Sequence, residues 1–172
     1  MGELPSVVLA VDMRRVHALG RQEGAVLFLD FARDGRTLVS LDDSGAVGLW
    51  DMADRTLEAT VRDSGDEQVW AVAVFSDTLA TAGPAGRVRL WNLTQPEQPV
   101  REWEDPGGLP PHAVFARDGR YLVTAGNDYD DGSVRLWDLA TAPPISHTIS
   151  SPGVHVEGLA ASPTTDQIAV GR

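Results

Sequence analysis

The chain contains no cysteine. Disulfide staples, thiolate catalysis and cysteine-based zinc sites are thereby excluded, and an oxidising compartment gains no support. Long apolar runs are missing as well. Nothing approaches the roughly 18 residues of a membrane span, and Met1–Leu19 lacks the basic start and long apolar middle of a signal peptide. Positive charge is scarce: 14 Lys and Arg stand against 25 Asp and Glu, giving a net charge of −11. Such a chain repels phosphate backbones and anionic lipid, so the reading has no nucleic-acid and no membrane partner, and basic partners are steered toward it. The expected location is cytoplasmic. Helical periodicity is absent throughout, while 17 Gly and 11 Pro point to many short elements joined by turns.

Against these absences stands an internal repeat. Ser44-Gly-Ala-Val-Gly-Leu-Trp-Asp51, Ala85-Gly-Arg-Val-Arg-Leu-Trp-Asn92 and Asp131-Gly-Ser-Val-Arg-Leu-Trp-Asp138 are copies of one motif, with Trp50, Trp91 and Trp137 spaced 41 and 46 residues apart. Each copy follows two short apolar segments joined by a turn. The first unit has Val26–Phe31, Arg33-Asp-Gly-Arg36 and Thr37–Ser40; the second has Val69–Phe75 and Thr78–Ala82; the third has Ala113–Phe115, Arg117-Asp-Gly-Arg120 and Tyr121–Ala125. Alternation over this length predicts strands, and Asp-Gly between two such runs predicts a hairpin. A further strand follows each Trp, at Thr56–Thr60, Pro99–Trp103 and Ile145–Ile149.

Four short antiparallel strands per unit, closing on Trp-Asp, resemble the WD-repeat (WD40-type) family of β-propellers. The resemblance covers essentially the whole chain and rests on three copies in phase. It implies an all-β fold of about four blades: whole blades at 20–61, 62–104 and 105–150, flanked by half-blades at 1–19 and 151–172. Val8–Met13 aligns with Val47–Met52, putting Val11 in the Trp place, so the first half-blade supplies third and fourth strands. Val156–Ser162 and Gln167–Val170 match first and second strands, so the two halves are complementary. Exposed edges of this kind demand a partner. Three closures fit: a self-closed four-bladed ring, an excised part of a longer propeller, and the favoured one, an eight-bladed ring completed by a second chain.

In the resembled family a His before the first strand, a Ser or Thr in the second, the Trp of the third and an Asp in the turn between second and third form a hydrogen-bonded chain. Ser40 with Trp50, Thr81 with Trp91, and Thr124 with Trp137 take the hydroxyl and indole places; Asp51 and Asp138 are the Asp of Trp-Asp, and Asp43 and Asp131 are candidates for the turn. The His is absent: the corresponding stretches read Arg21-Gln-Glu-Gly24, Asp63-Ser-Gly-Asp66 and Asp105-Pro-Gly-Gly108, with Gly153-Val-His155 only an offset candidate. Loss of a bridging donor shifts blade rigidity onto packing and predicts modest stability. The Trp residues are core pieces in this reading, not a ligand cage.

No candidate chemistry outweighs that picture. His17, His112, His147 and His155 fall on different blades without metal-motif spacing, and no Ser occupies a Gly-x-Ser-x-Gly elbow. Asn127-Asp-Tyr-Asp-Asp-Gly132 is carboxylate-rich, but Tyr129 occupies a ligand place of a calcium loop and no helices flank it. Ala82-Gly-Pro-Ala-Gly86 follows a strand and opens no helix that would hold phosphate. Neither cofactor nor metal is expected. The resemblance places the loops bearing Asp42, Asp43, Asp63, Asp66, Glu67, Glu104, Asp105, Asp128, Asp130 and Asp131 on one face, against Arg21 and Arg62. A basic peptide or protein docking through Asp42, Asp43, Asp66, Glu67, Asp128 and Asp130 is the expected interaction. The functional reading is a non-catalytic scaffold for protein–protein interaction or assembly. Its alternatives are an excised or engineered half-propeller whose only activity is self-assembly, and an enzyme or small-ligand binder using the propeller channel.

Overall fold

Alternating apolar segments of about five residues bounded by Gly and Asp turns leave each strand able to bury one face only, so the chain folds as hairpins stacked into small sheets. The computed structural model describes residues 7–11, 16–62, 68–106, 111–126, 133–149, 156–162 and 165–171. Among them, all regular structure is β apart from one 3-10 turn at Pro84–Gly86. The chain divides into two units, Met1–Val69 and Trp70–Arg172.

The first unit holds β1 (Val7–Val11), β2 (Val16–Arg21), β3 (Val26–Phe31), β4 (Thr37–Asp42), β5 (Val47–Asp51) and β6 (Thr56–Val61). The pair β1–β2 is a two-stranded antiparallel sheet, and β3 to β6 form a four-stranded antiparallel sheet in chain order. Leu38 of β4 lies opposite Trp50 of β5, and these two cluster with Leu19 of β2, Val26 and Met52. Gly20 passes so close under the indole that a Cβ there would lie 2.7 Å from Trp50 Cζ3.

The second unit holds β7 (Ala71–Phe75), β8 (Thr78–Ala82), β9 (Arg87–Asn92), β10 (Gln95–Glu104), β11 (His112–Ala116), β12 (Tyr121–Ala125), β13 (Val134–Asp138), β14 (Ile145–Thr148), β15 (Gly158–Ala161) and β16 (Ile168–Gly171). They make two four-stranded antiparallel sheets, β7 to β10 and β11 to β14, and the two-stranded sheet β15–β16. One core joins Ala71, Ala73, Ala80 and Ala82 to Leu122 and Trp137; a second joins Val123, Ala125, Val134 and Val156, with Leu159 and Ile168 packed on it. Trp103 and Trp137 meet as a tilted ring pair with centroids 5.6 Å apart.

Several strand boundaries depart from the sequence reading by one to four residues. Val69 and Trp70 lie before β7, although Trp70 N–H still donates to Ala82 O at 2.8 Å. β10 begins at Gln95 rather than Pro99, with register shifts between Gln95 and Pro99 and again between Pro99 and Arg101. Pro96 and Pro99 have no N–H for the ladder, so the strand reaches its regular pairing only beyond them.

Candidate functional site

The indole and hydroxyl residues singled out by spacing form three short buried bonds. Trp50 Nε1 donates to Ser40 Oγ at 2.8 Å, Trp91 Nε1 to Thr81 Oγ1 at 2.9 Å, and Trp137 Nε1 to Thr124 Oγ1 at 2.9 Å. Each joins the second and third strands of a four-stranded sheet. Gly48 leaves room for the first of them, since a Cβ there would lie 2.8 Å from Ser40 Oγ and 2.9 Å from Trp50 Nε1.

The stretches that lack a His do not leave the same gap in both units. Asp105, 4% exposed, occupies the loop before β11 and is held by its own N–H on Gly86 O at 2.6 Å. Thr124 Oγ1 donates to Asp105 Oδ2 at 2.6 Å, and Arg135 Nη1 donates to Asp105 Oδ1 at 2.5 Å. The expectation of a bare loss of the bridging group is therefore corrected for this sheet. A carboxylate takes over, with the hydroxyl relaying from indole to acid and a buried guanidinium supplying countercharge. In the first unit the buried Gln22 fills the corresponding stretch, its Nε2 at 3.5 Å from both Asp42 Oδ2 and Ala46 O. Spacing alone misses both residues; Arg135 standing where Gly48 stands in the first repeat is the signal for an acid nearby.

The turn acid of the first sheet is Asp42 rather than Asp43. Asp42 is 1% exposed, and its carboxylate accepts from Ser44 N–H, Ser44 Oγ, Ala46 N–H and Gly24 N–H at 3.0, 2.6, 3.0 and 3.4 Å. Asp42 is the last residue of β4 and is buried, whereas Asp43 follows it in the turn and is exposed, its Oδ1 accepting Ala25 N–H at 2.8 Å. Asp42 and Asp105 are thus removed from the surface set by burial and internal bonding. Asp43 and Glu104 are exposed. Asp63, Asp66, Glu67, Asp128, Asp130 and Asp131 lie outside the described residues, as do the rest of the carboxylate-rich loop and His155.

The Asp of each Trp-Asp pair is bound to the Arg that ends the preceding Arg-Asp-Gly-Arg turn. Arg36 Nε donates to Asp51 Oδ2 at 2.7 Å, joined by Arg36 Nη2 on the same oxygen, while Asp51 Oδ1 accepts Ala53 and Asp54 N–H at 2.6 and 3.0 Å. The Arg36 bond is the main reason that the Asp51 carboxyl is lowered to about 2. Arg120 Nη2 donates to Asp138 Oδ2 at 3.0 Å and holds that carboxyl below its ordinary value in the same way. In the middle repeat the Arg is missing and the acid is replaced by Asn92, whose amide oxygen caps its own turn by accepting from Thr94.

The histidines are scattered. Arg55 Nη1 donates to His17 Nδ1 at 3.2 Å, His112 is half-buried in β11, and His147 is exposed on β14. Among the described residues no three His, Asp or Glu gather as metal ligands, and no helix is long and apolar enough to cross a membrane.

A family model described as "WD domain, G-beta repeat" matches residues 110–138, which span β11 to β13 and contain the Trp137–Thr124 bond. This chain carries a WD repeat. It is similar to the Target of rapamycin complex subunit LST8 of Saccharomyces cerevisiae, with 30% identity over 105 residues, 59% of this chain and 33% of that protein. Its fold is similar to a chain in the crystal structure of a Mitotic Checkpoint Complex, with a TM-score of 0.76 at 19% identity over 91% of this chain and 48% of the other. A second likeness is to the β-propeller domain of Myceliophteria thermophila Cps50 (Swd1), with a TM-score of 0.62 at 19% identity over 76% of this chain and 41% of that one. The WD-repeat chain therefore has an all-β fold of the β-propeller kind, and it spans about one third of the curated relative and less than half of each solved chain.

Proposed function

We propose that this WD-repeat chain is a non-catalytic scaffold that binds protein partners, and that a basic segment is among what it binds. The observation that carries the reading is the 30% identity, over 105 residues, to a protein named as a complex subunit. The polar groups of the repeat motif support it. Thr124, Asp105, Arg135, Ser40 and Asp42 are bonded inside the sheets and are not presented to a substrate. A net charge of −11 favours a cationic partner over phosphate backbones, and the cysteine-free composition fits the cytoplasmic setting we infer. The carboxylates offered are the exposed Asp43 and Glu104, together with Asp66, Glu67, Asp128 and Asp130 from the sequence reading. Titration with a Lys/Arg-rich peptide tests this: binding should weaken steeply with salt and fall at least tenfold when these six are changed to Lys. Unchanged affinity and salt dependence in that variant would rule out the acidic docking surface.

The assembly we infer is a two-copy ring in which the halves 1–19 and 151–172 complete one another around blades 20–61, 62–104 and 105–150. Among the described residues three sheets have four strands and two have two, which supports it. Light scattering on the purified chain should read twice 18.4 kDa; a single-chain mass would refute it.

A further inference from the structure

Two turns of this chain share the sequence Arg-Asp-Gly-Arg, at Arg33–Arg36 and Arg117–Arg120. An Asp-Gly step can react with itself. The amide nitrogen of the Gly attacks the carboxyl carbon of the Asp side chain and expels water, which closes a succinimide ring. Water then reopens the ring. When it adds at the main-chain carbonyl, the chain runs on through the side-chain carbon as isoaspartate, with the composition unchanged and the backbone longer by one CH2. Gly has no Cβ to shield its nitrogen, so the rate depends on how firmly the fold holds that nitrogen and the carboxyl.

The first turn holds both. Gly35 N–H donates to Ala32 O at 3.0 Å. The Asp34 carboxylate accepts Arg36 N–H at 2.8 Å, Thr37 N–H at 2.9 Å and the Thr37 hydroxyl at 2.8 Å. These donors, Thr37 N–H foremost, hold the Asp34 carboxyl below its ordinary value. It therefore stays an anion, whose carbon is a poor electrophile.

The second turn is built differently. Its backbone bond comes one residue later, from Arg120 N–H to Arg117 O at 3.1 Å, and leaves Gly119 N–H outside the backbone pairing of the turn. Tyr121 stands in the place of Thr37, so no β-hydroxyl follows the acid at that distance. Arg117 and Asp118 have φ of 50° and 54°, a left-handed conformation that costs L residues energy, and Asp118 is exposed. A backbone held there gives up less when the ring closes.

We propose that Asp118–Gly119 is a site of succinimide and isoaspartate formation in the folded protein, and that the fold shields Asp34–Gly35 from the same reaction. The place of this turn gives the modification a structural consequence. A Cβ on Gly119 would lie 2.3 Å from Phe75 Cδ1, and Phe75 meets Phe115 with ring centroids 6.1 Å apart. On its other side Arg117 Nε lies 3.1 Å from Asp166 Oδ1, between β15 and β16. One more CH2 in the main chain thus enters where β7, β11 and the β15–β16 hairpin meet, and close packing leaves it no room.

Because both steps have the same immediate neighbours, the unfolded chain is an internal reference. Protein aged in warm neutral buffer, with and without urea, is unfolded and digested with an endoproteinase that cuts before Asp but not before isoaspartate, and the fragments are weighed by mass spectrometry. In urea the two sites should become resistant at one rate. In the folded chain the bond before Asp118 should become resistant at least about tenfold faster than the bond before Asp34, whose reaction must first break several hydrogen bonds. Thr37→Val, which removes the hydroxyl donor, should move Asp34 toward the Asp118 rate. Equal rates at the two sites of the folded chain, or a faster Asp34, overturn the proposal. Asp118→Glu, whose larger ring closes slowly, should keep its urea midpoint on ageing while the unmodified chain gains a second, less stable population. The same drift in both chains would overturn isoaspartate as its cause.

Discussion

The sheets β3–β6 and β11–β14 share a Trp bonded to a second-strand hydroxyl and a Trp-Asp acid held by the Arg of an Arg-Asp-Gly-Arg turn, but they differ in what stands behind the hydroxyl. In β11–β14 a carboxylate accepts from Thr124 and is itself held by a guanidinium, both charged groups nearly out of water. In β3–β6 the third-strand Arg is replaced by Gly48, and a neutral amide at 3.5 Å together with the Asp42 turn does the joining. A buried ion pair is worth little net of desolvation, yet it is costly to break by halves. The two sheets should therefore respond very differently to loss of the loop side chain. The middle sheet takes a third course, with Arg89 donating to Glu102 of β10 at 2.6 Å.

Asp105→Ala should have the largest effect. It strips a guanidinium that is 9% exposed, and the Thr124 hydroxyl, of a common carboxylate. We expect a loss of about 3–5 kcal/mol in urea unfolding, with much of it recovered in Asp105→Ala/Arg135→Met, where no charge is left inside. A double variant no better than the single one would show that the ion pair is not what distinguishes this sheet. The matching change on the other side, Gln22→Ala, breaks only long contacts to a neutral amide. Its cost should be about 1 kcal/mol or less; equal losses for Asp105→Ala and Gln22→Ala would erase the contrast.

Removing the hydroxyl itself should fall between these values. Ser40→Ala leaves the buried Trp50 N–H without its acceptor, for about 1–3 kcal/mol. Thr124→Val removes the Trp137 acceptor and also a donor to Asp105, so it should cost more than Ser40→Ala. Near-ultraviolet circular dichroism and urea midpoints of the two variants rank them directly.

Strand-rich architecture is legible in this sequence because period-two alternation and Asp-Gly turns are local signals, and the Trp and hydroxyl places follow from repeat phase. Phase does not tell which of Asp42 and Asp43 turns inward, since identical neighbours differ only in where the strand ends and the turn begins. Nor does it give Asp105 its role. That depends on a residue 30 positions later, Arg135, at a place where the first repeat has Gly. The two Arg-Asp-Gly-Arg turns make the same point: only Gly35 of the first has positive φ, whereas Arg117, Asp118 and Gly119 all do in the second. In the first, Thr37 follows and bonds Asp34 through both its N–H and its hydroxyl; in the second, Tyr121 follows and stacks under Arg120, with the guanidinium carbon 5.1 Å from the ring centroid.

The smallest effect lies where the two sheets are most alike, at the Trp-Asp acids. Both carboxyls are lowered by their Arg partners, Asp51 from 3.8 to about 2. A lowered folded-state value means that the stabilisation is fully present above the unfolded value near 3.8 and is lost as the pH falls toward 2. Near neutrality, then, neither acid contributes any pH dependence. Since Arg36 and Arg120 keep 60% and 52% of their side chains in water, screening leaves each pair a modest contribution. Carboxyl titration by NMR should show Asp51 rising toward its ordinary value in Arg36→Gln, with Asp138 unmoved, and the reverse in Arg120→Gln. If either substitution shifted both acids, the Trp-Asp pairs would be coupled across the chain and not local to their own turns.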